Sequence, residues 1–292
     1  MILIILIILI IILIIIFFNK NIQNFTNNLT YLQRKSKIAF MFLIKDGINK
    51  EDLWNKFFSN IDKDKYNIYI HYKNDIKLKY LNRYKLSNTV PTKWGDISLV
   101  YAQKLLLKEA LKDTTNYKFI FLSDACIPIK NFDYIYDFLT NDNSSYFNTE
   151  IIKDTDISKT FQWCILNREH SNIINRDTTE IKKYIDKYAP DEIYFLTTLR
   201  RNKANNIIIN EKANEYTTYV NWGNKFLNLI SLDDFNNSYK NFKSKKTKTI
   251  TSPYTYTEID NNELAYLVNK TNCLFFRKVL PDTIIDESLL PY

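Results

Sequence analysis

The 292-residue chain predicts an α/β domain with a doubly wound sheet, set behind an apolar N-terminal span. Three observations carry that expectation. From Lys37 onward, short β-branched and aromatic runs alternate with stretches of helical spacing, the mark of a doubly wound sheet. Met1–Phe18 is unbroken hydrocarbon, mostly Ile and Leu. The rest of the chain beyond the N-terminal region, about 255 residues, is long enough for one large α/β domain or two small ones.

The N-terminal run comes first. Eighteen helical residues reach about 27 Å, close to the thickness of a bilayer core. A secretory leader has a shorter apolar region and small residues at its cleavage site. Here Phe17, Phe18, Asn19 and Lys20 stand in that place instead. Residues 1–18 are therefore expected to be an uncleaved transmembrane signal anchor. A cleaved signal peptide or a buried helix is the alternative. Residues 19–36 are polar and Asn-rich and read as a stem. Lys20, Arg34, Lys35 and Lys37 lie after the span, which by the positive-inside rule places the domain in the cytoplasm. Asn24, Asn28, Asn143, Asn236 and Asn269 fit the N-x-[ST] pattern, a weak pointer to a lumen in so Asn-rich a chain.

Within the domain, residues 37–292, KIAFMFLI (37–44) is an apolar strand, and 49–59 has helical spacing through Leu53, Trp54, Phe57 and Phe58. YNIYIH (66–71) is a second strand. Residues 97–111 form an amphipathic helix with Asp96 as a candidate N-cap. YKFIFLS (117–123) is a buried strand and 132–139 a short helix. A strand is expected over 161–166, and helices over 168–174, 179–188 and 190–201. Strands near 207–209 and 217–220, a helix over 258–268 and a strand over 273–276 complete the pattern. Residues 236–251, rich in Lys and Asn, lack periodicity and read as a mobile loop.

Composition narrows the chemistry. Only three glycines occur (Gly47, Gly95, Gly223), so no Gly-rich phosphate loop can be written. Phosphate must be held by side chains or helix ends. The net charge of +8 raises nucleic-acid binding. Ile, Asn and Lys are abundant together, as AT-rich coding produces, so the lysine excess is read as compositional and no nucleic-acid partner is expected. Cys126, Cys164 and Cys273 lack C-x-x-C spacing and sit in apolar runs. They read as buried thiols rather than a zinc site.

Eight blocks occur in order: KIAFMFLI, YNIYIH, KWGDISLVYAQKLLLKEAL, FIFLSDACIPIKNFDYIYDFL, FQWCILNREHSNII, APDEIYFLTTL, TYVNWGN and CLFFRKV. Together they resemble the core-2/I-branching β-1,6-N-acetylglucosaminyltransferase family, its plant-type members above all, over Lys37–Pro281. The resemblance implies a Rossmann-like nucleotide-diphospho-sugar fold of the GT-A type. It also implies transfer of a sugar, GlcNAc in the family's namesakes, from a UDP-sugar to a glycan or glycoprotein hydroxyl with inversion and without a metal. A single-pass membrane protein is implied too, of the Golgi or secretory lumen if cellular or of a host or virion membrane if viral, with the luminal orientation opposite to the charge-based one. Metal-dependent enzymes of this fold carry Asp-x-Asp at a central strand end, whereas Leu122-Ser123-Asp124-Ala125-Cys126 offers one carboxylate.

The resemblance also assigns residues. Without a metal, fixed cations must stabilise the departing pyrophosphate. Arg277 and Lys278 come directly after a buried strand and, by strand alternation, are expected on opposite faces. The resemblance favours Lys278, and Lys246 or Lys248 stands where the family has an upstream cation. Ala189-Pro190-Asp191-Glu192 resembles the family's P-D-E block, which makes Glu192 the base that takes the acceptor's proton. Pro190 suits a first helical turn, where acidic residues also simply complement the helix dipole. Asp191 is expected to orient Glu192 or bind acceptor. Phe42, Leu43 and Ile44 stand where the family meets uridine. His71 matches a family His, while Tyr72 replaces the usual Asp. Trp94 and Asp96 are donor-side candidates, Asp96 doubling as a cap. Ser123, Asp124, Trp163 and Trp222 are acceptor-side candidates, the two tryptophans equally readable as core.

Other classes compete. The Tyr72 departure and the weak upstream cation fit an inactive, membrane-tethered glycan-binding homologue. Glucuronosyl or xylosyl transfer fits the plant-type relatives. A two-carboxylate glycosidase does not fit, because helical neighbours Asp191 and Glu192 diverge by about 100° and cannot flank one bond.

Overall fold

The computed structural model describes residues 14–21, 36–149, 159–210, 215–223, 243–247 and 252–292. The chain divides into Met1–Ser36 and Lys37–Tyr292. In the first unit residues 14–21 are helical with exposed side chains, and Phe17 and Phe18 meet edge to face. Among the described residues no helix is long and apolar enough to cross a membrane. Residues 1–13 of the expected anchor and most of the expected stem lie outside the described residues.

The second unit is built on a six-stranded sheet. Its strands are β1 (Lys37–Ile44), β2 (Tyr66–Tyr72), β3 (Asn116–Ser123), β5 (Ser145–Asn148), β6 (Ile165–Asn167) and β7 (Ile207–Asn210), in the order β2-β1-β3-β6-β5-β7. The first three are parallel, and β6 runs antiparallel to β3. Continuous apolar runs are what a strand buried on both faces requires. The pleat then sorts them. Ile38, Phe40, Phe42 and Ile44 of β1 enter one core with Ile120 and Leu122 of β3. Ala39 and Met41 enter the other with Phe119 and Phe121. Helices α1 (Glu51–Phe57) and α3 (Phe132–Thr140) cover the first face; α2 (Ser98–Ala110), α4 (Arg168–Arg176) and α5 (Tyr194–Arg201) cover the second. Phe40 is fully buried and meets six aromatic rings, Trp54, Phe57, Phe58, Tyr66, Phe132 and Phe275. Asn131 and Asn167 cap α3 and α4 through backbone N–H groups of Tyr134 and His170, at 2.8 and 2.7 Å.

A second layer closes one end. β4 (Ile127–Pro128), β8 (Thr218–Val220) and β11 (Phe275–Arg277) form a small sheet in the order β4-β11-β8. β9 (Lys245–Thr247), β10 (Thr255–Glu258) and β12 (Val279–Ile284) form another, and α6 (Asn261–Lys270) packs with both. All three cysteines are buried thiols, and none takes part in a disulfide.

Several expectations need correction. The strand expected over 161–166 is regular only from Ile165; before it Phe161 N–H donates to Asn148 C=O and Cys164 C=O accepts from Phe121 N–H, while Phe161 and Trp163 line a cleft. The helix expected over 190–201 is a 3₁₀ turn, Pro190–Glu192, then α5; Ile193 between them is not helical, at φ −121°. Only Glu180–Tyr184 of the expected 179–188 helix is helical, again as 3₁₀. Residues 245–247 of the expected loop form β9, and 236–242 and 248–251 lie outside the described residues.

Candidate active site

Parallel strands present ligands at their carboxyl edge, most often where the connections change direction. Here the chain passes from β1 to β2 on one side and then to β3 on the other. The register sets Leu43, His71 and Ser123 in one row at that edge, with Ile44 beside Tyr72. From β11, Arg277 reaches this edge: its Nε donates to Ser123 Oγ at 3.1 Å. The guanidinium also lies 4.9 Å from the Trp163 ring centroid. Trp163, read from sequence as core or sugar platform, is buried and serves as a platform for an arginine.

Beside it opens a cleft of about 400 Å³. Seven expected site residues line it: Trp94, Trp163, Asp191, Glu192, Trp222, Arg277 and Lys278. Arg277 and Lys278 were expected on opposite faces. Both line the cleft, because β11 ends at Arg277 and Lys278 belongs to no strand. Backbone bonds fix this corner. Lys278 C=O accepts from Tyr256 N–H at 2.8 Å, and Val279 N–H donates to Ala125 C=O at 3.1 Å. Asn49 Nδ2 donates to Val279 C=O at 2.7 Å. Burial lowers the pKa of both cations, which favours an anion as their partner.

Asp124 stands next to them. Burial raises its pKa, a rise that the Arg277 charge, the Lys45 N–H and the Lys278 charge offset only in part. Among the described residues no cluster of three or more His, Cys, Asp or Glu could hold a metal ion.

The carboxylates come from the Pro190–Glu192 turn. Ala189 enters it at φ +49°, the left-handed region that alanine seldom occupies, and this aims the chain into the turn. Its N–H donates to Gly95 C=O at 3.0 Å, and Glu192 C=O accepts from Thr160 N–H at 2.6 Å. The Glu192 side chain is 26% exposed and 3.5 Å from Lys159 Nζ. Its charge also acts on Arg277, so base candidate and cation share one electrostatic field.

Asp191 is 6% exposed, and its Oδ1 is buried without a hydrogen-bond partner. Burial first, and the Glu192 charge second, raise its pKa from 3.8 to about 7. The folded protein then binds a proton that the unfolded chain releases near pH 4. Stability is full below pH 4 and falls as pH rises through 7, by on the order of 2–4 kcal/mol. Asp191→Asn is expected to flatten that fall. Urea unfolding of both proteins at pH 5 and pH 8 measures it, and parallel pH profiles would refute the assignment.

Other expected residues lie elsewhere. Phe42 and Ile44 are core, Phe42 at 4.8 Å from Trp54, and Leu43 packs against the opposite core. His71 is fully buried, its Nε2 accepting from Val90 N–H at 3.0 Å, and burial lowers its pKa to about 4. Lys85 lies 4.2 Å over the Tyr72 ring. Asp96 accepts from Ser98 N–H at 2.9 Å in the turn just ahead of α2, while Ile97 holds the N-cap position expected for Asp96. Lys246 faces Tyr254 and Tyr256, and Lys248 lies outside the described residues. Sequence reasoning missed Tyr188 and Lys159. An aromatic and a lysine in so Tyr- and Lys-rich a chain carry no signal until exposure and neighbours are known.

The family model described as "Branch: Core-2/I-Branching enzyme" matches residues 38–156 and 147–251, more than half of the chain. A curated protein, "Glycosyltransferase BC10" of Oryza sativa subsp. japonica, is 26% identical over 171 residues, which cover 51% of this chain and 43% of that one. The chain thus spans less than half the length of that relative. A solved structure, "Crystal Structure of A197 from STIV", aligns over 48% of this chain and 69% of its own at 12% identity and a TM-score of 0.26.

Proposed function

The chain belongs to the Core-2/I-branching enzyme family, and from that premise we propose that it is a glycosyltransferase with Glu192 as base and Arg277 and Lys278 as anion ligands. One observation carries the reading: a carboxylate and two half-buried cations line the same cleft at the edge of a parallel sheet. The name of the rice relative agrees with it.

The proposed reaction is a single displacement. An acceptor hydroxyl attacks the anomeric carbon of a UDP-sugar as the bond to the β-phosphate oxygen breaks. Glu192 takes the hydroxyl proton, and the configuration inverts. The leaving oxygen gathers negative charge, which Arg277 and Lys278 meet in a partly dehydrated setting where charge–charge attraction is strong. Below its raised pKa of about 7, Asp191 holds a proton beside the base and keeps a second full charge away from it.

A metal-free donor site is part of the proposal. The single strand-end carboxylate, Asp124, already sits in the field of both cations and of the Lys45 N–H. GlcNAc is the proposed sugar and a β-1,6 branch the proposed product; glucuronic acid and xylose are the competing donors. Anchoring through residues 1–18 in a secretory membrane completes the reading.

Calorimetric titration with UDP-GlcNAc, UDP-glucuronic acid and UDP-xylose, with and without EDTA, tests it. Binding of one donor, unchanged by EDTA, is expected. Binding of none overturns the transferase, and loss of binding in EDTA overturns the metal-free site. An inactive glycan-binding homologue would bind oligosaccharide and turn over no donor. The ion pair between Lys159 and Glu192, which occupies the base, favours that second reading.

A further inference from the structure

Two large aromatic side chains stand open at the rim of the cleft. Trp94 is 68% exposed and Tyr188 is 66% exposed, and among the described residues of the domain no exposed large apolar side chain is more open. Two adjacent exposed aromatic rings beside a cleft are the kind of apolar surface that binding sites use. The rings meet edge to face, 5.6 Å between centroids and 76° between planes. They form a corner with one face and one edge.

The corner is preformed. The Ala189 N–H bond to Gly95 C=O, at 3.0 Å, joins the loop behind Trp94 to the residue after Tyr188. Gly95 has φ +70°, and a Cβ there would come within 3.2 Å of the Tyr188 ring. The left-handed backbone favours glycine here, and a side chain would push the Tyr188 ring outward. Trp94, Gly95 and Ala189 also line the cleft, so the corner is continuous with it.

We propose that Trp94 and Tyr188 form a stacking subsite for an acceptor saccharide, holding the sugar next to the one that reacts; this rests on the transferase reading above. Sugar rings carry an apolar face of C–H groups, and the electron-rich face of an aromatic ring receives it while hydroxyls point to water. Glu192 follows Tyr188 by four steps along the chain, a Cα distance of at most about 14 Å. That is within the reach of a di- or trisaccharide. The acceptor side is favoured over the nucleotide because the backbone bond ties the corner to the turn that carries the proton acceptor. The cations that would hold a pyrophosphate arrive separately, from β11.

Acrylamide quenching of tryptophan emission reads the subsite in the unmodified protein. Trp54 is fully buried, Trp163 nearly so and Trp222 half-buried, which leaves Trp94 as the most accessible emitter. Trimers of β-linked N-acetylglucosamine, galactose and xylose are compared with their monosaccharides and with UDP. At least one trimer is expected to shield the accessible emission, with its monosaccharide far weaker. Tyr188→Ala is expected to weaken that trimer about tenfold more than it weakens UDP. Shielding by UDP and by no saccharide assigns the corner to the nucleotide and overturns the proposal, as does shielding by neither. Failure of the transferase reading shows separately, as absence of UDP-sugar binding with trimer shielding intact.

Discussion

Glu192→Gln is expected to lower kcat about a thousandfold with little change in KM, the loss typical when a positioned base is removed. The substitution preserves shape and removes only the capacity to take a proton. Its structural cost is small. The side chain is 26% exposed, and its 3.5 Å ion pair with Lys159 is open to water, where such pairs contribute little. The turn itself is held by backbone bonds from Thr160 and Ala189, which the substitution leaves in place. Thermal unfolding of the variant should therefore match the parent while transfer disappears. Transfer within threefold of the parent would remove Glu192 from the chemistry.

Arg277→Gln and Lys278→Gln form the second test. Each is expected to cost about 10²–10³ in kcat, the range seen when one fixed donor to a developing anion is lost. UDP affinity should fall by about tenfold or more, because the product carries the same phosphate. The double variant should lose less than the product of the two, since both cations serve one group. Arg277→Lys should rescue little. The guanidinium donates to Ser123 through Nε and lies over Trp163, and a lysine cannot reproduce that fork and plane. Steady-state kinetics and UDP calorimetry decide it, and near-parental UDP binding in both single variants would break the assignment.

Much of the frame was legible in the residues. β1 and the FIFL stretch of β3 are apolar runs, β2 alternates in burial as an edge strand should, and the spacing of α2 announces itself. What stayed hidden obeys tertiary rules. β12 contains Pro281 and Asp282, which argue against a strand, yet it lies at the edge of its sheet, where proline is tolerated. β5, only Ser145–Asn148, is too short for a pattern. The site divides the same way. Glu192 stood out only through the block around it, since two acids after a proline are ordinary. That Arg277 and Lys278 share a cleft could not be read from alternation, because the strand stops between them. Tyr188 looked like any of the 21 tyrosines until its exposure and its contact with Trp94 were known.

β11 is the central strand of the small sheet, seated between β4, which comes soon after β3 in the chain, and β8. During synthesis this has a consequence in time. A nascent chain that has emerged as far as α6 already contains Glu192 and the strands of the main sheet, but not the segment that carries both cations. N-terminal parts of a chain tend to fold first. The slot between β4 and β8 is therefore expected to fill late, and the proposed pair of cations reaches the cleft only once residues 275–278 have been made.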